Sequence, residues 1–180
     1  MPSTTSDTIE PESITITING EEYEREVEPR RLLSDFIRQD IGLTGTHVGC
    51  EHGACGTCNV LMDGETVRSC LTFAVQADGA EIETVESLGT VDDMHPIQEA
   101  FHENHGLQCG FCTPGMLLST KELLEENPDP DRESIKEALG ANVCRCTGYA
   151  PIIESVEAAA ERIQAPAEAE GEELSTAGDD

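Results

Sequence analysis

The sequence has no tryptophan, and aromatic residues of all kinds fill only 3% of its 180 positions. Aromatic side chains bury the largest areas in protein cores, so their scarcity predicts thin cores. A chain of this length forms one medium domain or two small ones, and small domains usually need a metal or a disulfide as a staple. The eight cysteines are the candidates for that role.

Long apolar runs are also lacking. No stretch approaches the length of a membrane span, and the start, Met1 to Glu12, is polar and acidic. We therefore expect no secretory signal, no membrane span and a cytoplasmic location. Cytoplasmic thiols stay reduced, which favours metal or redox chemistry over a disulfide framework for clustered cysteines.

Basic residues are scarce, with 10 Lys and Arg against 37 Asp and Glu and a formal net charge of −27. This balance argues against binding to nucleic acid or to anionic membranes, because both need a basic surface. The acidic residues are spread along the whole chain. We interpret them as adaptation to high salt, where screening relieves self-repulsion, and the alternative is an acidic docking face for a basic partner.

The composition divides the chain into four parts. Residues 1–12 and 165–180 are poor in apolar residues, and we expect both ends to be disordered. Residues 13–88 and 89–164 form two segments whose apolar residues have different periodicities, so we expect two domains.

Residues 13–88 have the pattern of a small mixed sheet packed on one helix. Ile14, Ile16 and Ile18 alternate with polar residues and precede Asn19-Gly20, a strong hairpin signal. The apolar residues between Leu32 and Ile37 have helical spacing, which predicts one short helix. Asp63-Gly64 predicts a second turn, and Ile82 with Val85 indicates a last strand.

Residues 89–164 have the pattern of four short helices in a bundle, which makes the whole chain α+β. Thr113-Pro114 is typical of a helix start, with Thr113 as the capping residue. The predicted helices cover Pro96 to Glu103, Thr113 to Glu126, Asp131 to Leu139 ended by Gly140, and a stretch opening at Pro151.

The first cysteine quartet has the spacing of a plant-type ferredoxin. Cys50, Cys55 and Cys58 stand as C-x4-C-x2-C, and Cys70 follows 12 positions later. Glycines between them let the backbone turn tightly around an inorganic core and aim amides at sulfur. Structural zinc usually uses two well-separated knuckles, so a two-iron two-sulfur cluster fits better, with zinc left as the alternative.

The second quartet consists of Cys109 with Cys112 and Cys144 with Cys146. Residues at i and i+2 point to one side only in an extended segment, so the second pair needs a loop to reach one site. Cys112 precedes a helix start, where free N–H groups favour anionic sulfur. Spacing alone leaves a cluster, zinc and a thioredoxin-type pair open.

Three stretches give the sequence a resemblance to the small iron–sulfur subunits of molybdenum hydroxylases. That family includes aerobic carbon monoxide dehydrogenase, xanthine dehydrogenase, and aldehyde or isoquinoline oxidoreductases. The stretches are GTHVGCEHGACGTCNVLMDG (Gly45 to Gly64), QCGFCTPGM (Gln108 to Met116) and VCRCTGY (Val143 to Tyr149). The resemblance implies a ferredoxin-like β-grasp domain followed by a four-helix bundle. Asn59 departs from the Ser or Thr usual in the family.

The resemblance also implies two 2Fe-2S clusters and two partner subunits. Cys50, Cys55, Cys58 and Cys70 would hold an outer cluster, and Cys109, Cys112, Cys144 and Cys146 an inner one. Gln108 and Cys146 would contact the molybdopterin of a large subunit, and electrons would pass through the inner and outer clusters to FAD in a medium subunit. No catalytic residue is expected in this chain, and the substrate is not implied.

Two other functions fit the same residues, a free two-cluster electron carrier and a zinc-stabilised interaction module. The five histidines are candidate ligands, but eight cysteines already complete two sites: His47, His52, His95, His102 and His105. Arg68 and Arg145 stand near cysteines, where each could tune a cluster potential or form a salt bridge.

Overall fold

The computed structural model of the protein describes residues 10–165, and the first half of this range forms a five-stranded mixed sheet. The spatial order is β2-β1-β5-β3-β4, and only β1 and β5 pair in parallel. The strands are β1 (Glu12–Ile18), β2 (Glu21–Val27), β3 (Asn59–Met62), β4 (Glu65–Arg68) and β5 (Glu81–Glu83). The predicted mixed sheet is confirmed.

Two tight turns close the hairpins of this sheet. Asn19 and Gly20 have φ values of 52° and 81°, and Asp63 and Gly64 have 53° and 87°. A turn with two positive φ values follows the right-handed twist of paired strands, and Asn, Asp and Gly tolerate it. Both turns lie where the two dipeptides predict them.

One short helix covers the sheet. It starts as α1 (Leu33–Asp35) and continues as a wider π-helical stretch over Phe36–Ile41. Its apolar side chains share a buried cluster with β1, β3 and β5, made of Ile14, Ile16, Ile18, Val27, Leu33, Phe36, Ile37, Val60, Ala74, Ala77 and Ile82. The prediction of a strand through Val85 is wrong. β5 ends at Glu83, and Val85 begins a 3₁₀ turn and packs against the helical half instead.

The second half contains four helices around one core: α2 (Pro96–Glu103), α3 (Thr113–Glu126), α4 (Arg132–Leu139) and α5 (Ala150–Gln164). Helix α2 packs on α5, and α3 and α5 each pack on α4. Leu61 of β3 belongs to the same core, so the sheet and the helices share packed surface. The core includes Ile97, Phe101, Met116, Leu118, Ile135, Ile152 and Val156.

The helix ends differ in detail from the sequence-based expectation. Helix α3 begins at Thr113 as predicted, but Cys112 occupies the N-cap position, and the buried Thr113 hydroxyl has no hydrogen-bond partner. Thr113 already has helical backbone, so its side chain cannot cap. Asp131 does cap α4, accepting a hydrogen bond of 2.8 Å from the Ser134 amide.

The predicted disordered ends mostly fall at residues 1–9 and 166–180, which lie outside the described residues, and β1 already begins at Glu12. No helix in residues 10–165 combines the length and the apolar character needed to cross a bilayer.

Candidate metal centres

The β3–β4 hairpin brings the distant ends of the first quartet together. Cys58 directly precedes β3, and Cys70 lies two residues after the end of β4. Asn59, the first residue of β3, is paired across the hairpin with Arg68, the last residue of β4. Ser69 reinforces this end by donating from its amide (3.3 Å) and its hydroxyl (2.7 Å) to the Cys58 carbonyl. Cys70 therefore meets the C-x4-C-x2-C loop because strand pairing returns the chain to it.

The loop between Cys50 and Cys58 curls around the sulfur atoms. Glu51, Gly53 and Gly56 have φ values of 55°, 77° and 74°, a run of left-handed conformations that turns the chain tightly. Amides of this loop lie near the sulfurs and favour their anionic form, those of His52, Ala54 and Cys55 near Cys50 and that of Gly53 near Cys70. The expected aiming of amides at sulfur is thus present.

The four thiols of the first quartet form two pairs. Cys50 lies beside Cys55, and Cys70 lies beside Cys58. The amides of His52 and Cys55 lower the pKa of the Cys50 thiol to about 6. Burial, with the neighbouring Cys58 thiol, raises the pKa of Cys70 to about 11. The backbone thus stabilises Cys50 as an anion, whereas burial disfavours the anion of Cys70.

Two loops at helix ends carry the second quartet. Cys109 and Cys112 lie in the turn before α3, and Cys144 and Cys146 lie in the connection between α4 and α5. That connection is not helical, as the i, i+2 spacing requires. The Cys109 and Cys146 sulfurs are 3.5 Å apart, and Cys112 lies beside Cys144, so this quartet is also two pairs.

The two pairs of the second quartet differ in environment. Burial raises the pKa of Cys112 to about 12, with a further contribution from Cys144. Burial of Cys144 opposes ionisation, but the hydroxyl and amide of Thr147 outweigh it and lower the pKa of Cys144. Cys109 and Cys146 are exposed, and the Phe111 amide lowers the pKa of Cys109.

Paired sulfurs suit a two-iron cluster, in which two thiolates bind each iron. Tetrahedral zinc needs all four sulfurs at about 2.3 Å from one point, which makes them mutually equidistant. Within residues 10–165, no group of three or more potential ligands converges on a single ion. The donor set, eight free thiols with backbone amides aimed at them, fits iron–sulfur chemistry.

A direct hydrogen bond joins the two cysteine-bearing loops. The Val143 amide donates to the Cys55 carbonyl oxygen at 2.8 Å, so the neighbour of Cys144 contacts a member of the first quartet. Behind this bond lie polar side chains that sequence reasoning missed, Ser119 and Asn142, which are 5% and 2% exposed. Asn59 donates hydrogen bonds to both of these side chains. It was the one member of this group that the sequence marked as unusual, because the family has Ser or Thr at its position.

The remaining candidates have ordinary roles. His47 stacks on Phe111, His52 Nδ1 lies 2.5 Å from the Cys50 carbonyl oxygen, and His95 caps α2. Neither Arg68 nor Arg145 forms an ion pair with a described residue, so the salt-bridge interpretation of both is not supported. Gln108 is exposed beside Cys109.

Comparison with known proteins agrees with this architecture. Residues 16–87 match the 2Fe-2S iron-sulfur cluster binding domain family, and residues 84–157 match the 2Fe-2S binding domain family. The fold and the two cysteine quartets therefore place the chain in the class of proteins that contain two 2Fe-2S binding domains.

The individual relatives narrow this class. The chain is 52% identical to the beta subunit of the 6-hydroxypseudooxynicotine dehydrogenase complex of Paenarthrobacter nicotinovorans, over 79% of this chain and 89% of the relative. It is 44% identical to the nicotinate dehydrogenase small FeS subunit of Eubacterium barkeri, over 83% and 96%. The chain belongs to the family of small iron–sulfur subunits of molybdenum hydroxylases.

Solved structures share the fold. A chain of quinoline 2-oxidoreductase from Pseudomonas putida 86 superposes with a TM-score of 0.81 and 49% identity, over 84% of this chain and 95% of that one. Aldehyde oxidoreductase from Desulfovibrio gigas superposes with a TM-score of 0.81 and 46% identity. The match covers 84% of this chain but 17% of that one, so there the same unit is part of a longer polypeptide.

Proposed function

We propose that this chain is the electron-transfer small subunit of a molybdenum hydroxylase. One 2Fe-2S cluster would be held by Cys50, Cys55, Cys58 and Cys70, and the other by Cys109, Cys112, Cys144 and Cys146. The observation that carries the proposal is the arrangement of eight free thiols as two quartets of two pairs each, in loops joined by the 2.8 Å bond from Val143 to Cys55.

When bound, such clusters supply reversible one-electron oxidation and reduction. The chain's own part is to hold and charge-balance them. Loop amides stabilise the anionic sulfur of Cys50, and Thr147 does the same for Cys144. Backbone donors serve this purpose without bringing a mobile charge into the site.

The proposal includes two partners, a large molybdopterin-binding subunit and a medium FAD-binding subunit. Relatives named as subunits beta and gamma of dehydrogenases support assembly with other chains. Gln108 and Cys146 would contact the molybdopterin of the large subunit. Both are exposed beside Cys109, and exposed apolar side chains surround them, those of Leu107, Phe111 and Val143.

Two further parts of the proposal concern organisation and location. Residues 13–88 and 89–164 would be the two cluster-binding domains, supported by one apolar core under the sheet and a second among the helices, to which Leu61, Val85 and Leu88 of the first segment also contribute. The protein would work in the cytoplasm, where the eight thiols, all free in the structure, stay reduced.

Metal analysis and spectroscopy of the full chain test this function. We expect about four irons and four labile sulfides per chain, and two distinguishable paramagnetic signals on reduction. A colourless protein with zinc would contradict the proposal and support the interaction module. Affinity purification from the native source should recover the large and medium subunits, whereas a free electron carrier would elute alone with the same iron content.

A further inference from the structure

Arg68 lies between the two quartets and contacts both of their loops. Its guanidinium donates from Nε to the Gly53 carbonyl at 3.3 Å and from Nη2 to the Ala141 carbonyl at 2.8 Å. Gly53 belongs to the first cysteine loop, and Ala141 begins the loop that carries Cys144 and Cys146. One side chain therefore joins two segments 88 positions apart in the sequence, from residue 53 to residue 141.

The third acceptor of Arg68 connects it to a buried amide network. Nη1 donates to Asn59 Oδ1, and Asn59 Nδ2 donates to Asn142 Oδ1 at 3.0 Å and to Ser119 Oγ at 2.9 Å. Asn142 in turn donates to Gly115 O and Ser119 Oγ, each at 3.0 Å. These side chains fix the loop position immediately before Val143.

The backbones on either side come unusually close. A Cβ on Gly56 would overlap Asn142 Oδ1 and lie 2.6 Å from the Ala141 carbonyl oxygen. Close approach of this kind puts many polar groups out of contact with water, and each needs a partner. Arg68 supplies the donor for the buried Asn59 Oδ1, and it also reaches the half-buried Gly53 and the exposed Ala141 carbonyls, in the fixed directions of a planar guanidinium.

The acceptors of Arg68 are all uncharged, and no carboxylate of the described residues lies within 4 Å of it. Four of the eight arginines in residues 10–165 form no ion pair, namely Arg25, Arg38, Arg68 and Arg145. Arg68 differs from the other three because its acceptors lie on both cysteine-bearing loops. An ion pair at the surface would let Arg68 exchange one carboxylate for another. Three carbonyl-type acceptors from three segments instead define one geometry.

We propose that Arg68 is a positioning residue that clamps the two cysteine-bearing loops together across the Val143–Cys55 hydrogen bond and so sets the separation of the two clusters. The inference rests on the proposed function in one respect, that each quartet holds a cluster. The clamp itself is a property of the polypeptide.

Two measurements on the full chain test the clamp. The first is the magnetic dipolar coupling between the two reduced clusters, which depends on the inverse cube of their separation. The second is hydrogen–deuterium exchange in peptides that cover Val143, whose amide is protected by the bond to Cys55. The variants are Arg68→Gln and Arg68→Lys, with Arg25→Gln as the control that removes the same charge from an exposed position of the border strand β2.

For Arg68→Gln we expect full iron content, a weaker and broader distribution of dipolar coupling, and about tenfold faster exchange at Val143, the effect of losing one hydrogen bond to a charged group. Arg68→Lys keeps the positive charge but lacks the planar guanidinium with its several N–H donors. It should therefore restore neither the dipolar coupling nor the exchange rate at Val143 to the wild-type value. Arg25→Gln should match the wild type. Unchanged coupling and exchange in Arg68→Gln, or full restoration by lysine, would overturn the proposal.

A second variant keeps the test open if Arg68→Gln does not fold. Asn59→Ser removes one guanidinium acceptor and the link to Asn142, and we expect Val143 exchange to rise by roughly two- to fivefold. Exchange equal to the wild type would overturn the clamp. Failure of the proposed function has a different signature, since it would remove iron and the dipolar signal from the wild type while the difference in Val143 exchange persisted.

Discussion

Gly115, in the first turn of α3, lies so close to the carbonyl oxygen of Gly56 that a Cβ on Gly115 would overlap that oxygen. The Thr57 carbonyl oxygen would be 3.3 Å from the same atom. Helix α3 thus meets the first cysteine loop backbone to backbone. Because both contacts are with main-chain atoms, no side-chain rotation could relieve a larger residue here.

Gly115→Ala should therefore destabilise the protein although alanine is the better helix former. Helix propensity would favour alanine by about 1 kcal/mol, but overpacking against backbone costs about 1–3 kcal/mol and also opens the contact with the loop. We expect the melting temperature to fall by about 3–8 °C. The control is Glu126→Ala at the exposed end of α3, which should change little. A melting temperature of Gly115→Ala at or above that of the wild type would show that the contact is not tight.

The two quartets should lose iron independently. Serine oxygen is a harder ligand than thiolate, so Cys112→Ser and Cys55→Ser should each lose about two of four irons and one paramagnetic signal. The surviving signals should belong to different clusters. Local unfolding should accompany each loss, because cluster binding contributes to folding free energy. If both variants lost the same signal, the assignment of cysteines to quartets would be wrong.

Gln108→Ala should separate cluster binding from assembly. The side chain is exposed and belongs to no pair of thiols, so we expect about four irons and unchanged cluster signals. Binding to the large subunit should weaken by roughly tenfold, the effect of truncating one well-placed interface residue. Gln39→Ala, an exposed glutamine on the π-helical stretch, is the control. Equal affinity of the two variants for the large subunit would remove Gln108 from the interface.

The charge of −27 predicts a dependence on salt. If the acidity is an adaptation to high salt, screening should raise the melting temperature, on the order of 5 °C or more between 0.1 M and 2 M potassium chloride. Chloride is preferable to sulfate, since excluded salts stabilise most proteins whatever their charge. A flat or falling melting temperature would favour the alternative, an acidic docking face, and would leave the cluster sites unaffected.

The parts of this structure that the sequence predicted are those with local causes. Asn19-Gly20 forms its turn through the conformational freedom of two residues, and the C-x4-C-x2-C spacing places three thiols within one loop. The return of Cys70 beside Cys58 follows from one hairpin. The non-helical loop at Cys144 and Cys146 was predictable because only an extended segment points residues i and i+2 to one side.

The parts that sequence could not predict depend on how the halves meet. The sequence predicted Thr113 as the capping residue, but the helix takes in Thr113 and leaves Cys112 at that position. Val85 continued a strand-like pattern, yet it turns to join the helical core. Arg68 could have paired with any of many carboxylates, and its three neutral acceptors come together only once the loops at Gly56 and Asn142 are in contact.

The order of the strands leaves β2 and β4 at the two borders of the sheet in residues 10–165. Unpaired borders invite other chains to add strands, and like charges or a covering element prevent it. β2 carries a row of glutamates along its exposed length, and on β4 the Thr66 amide is already bound by Glu122 of α3 at 2.7 Å. The acidity of this protein thus has a second effect besides solvation, since it makes the sheet a poor template for aggregation through strand addition.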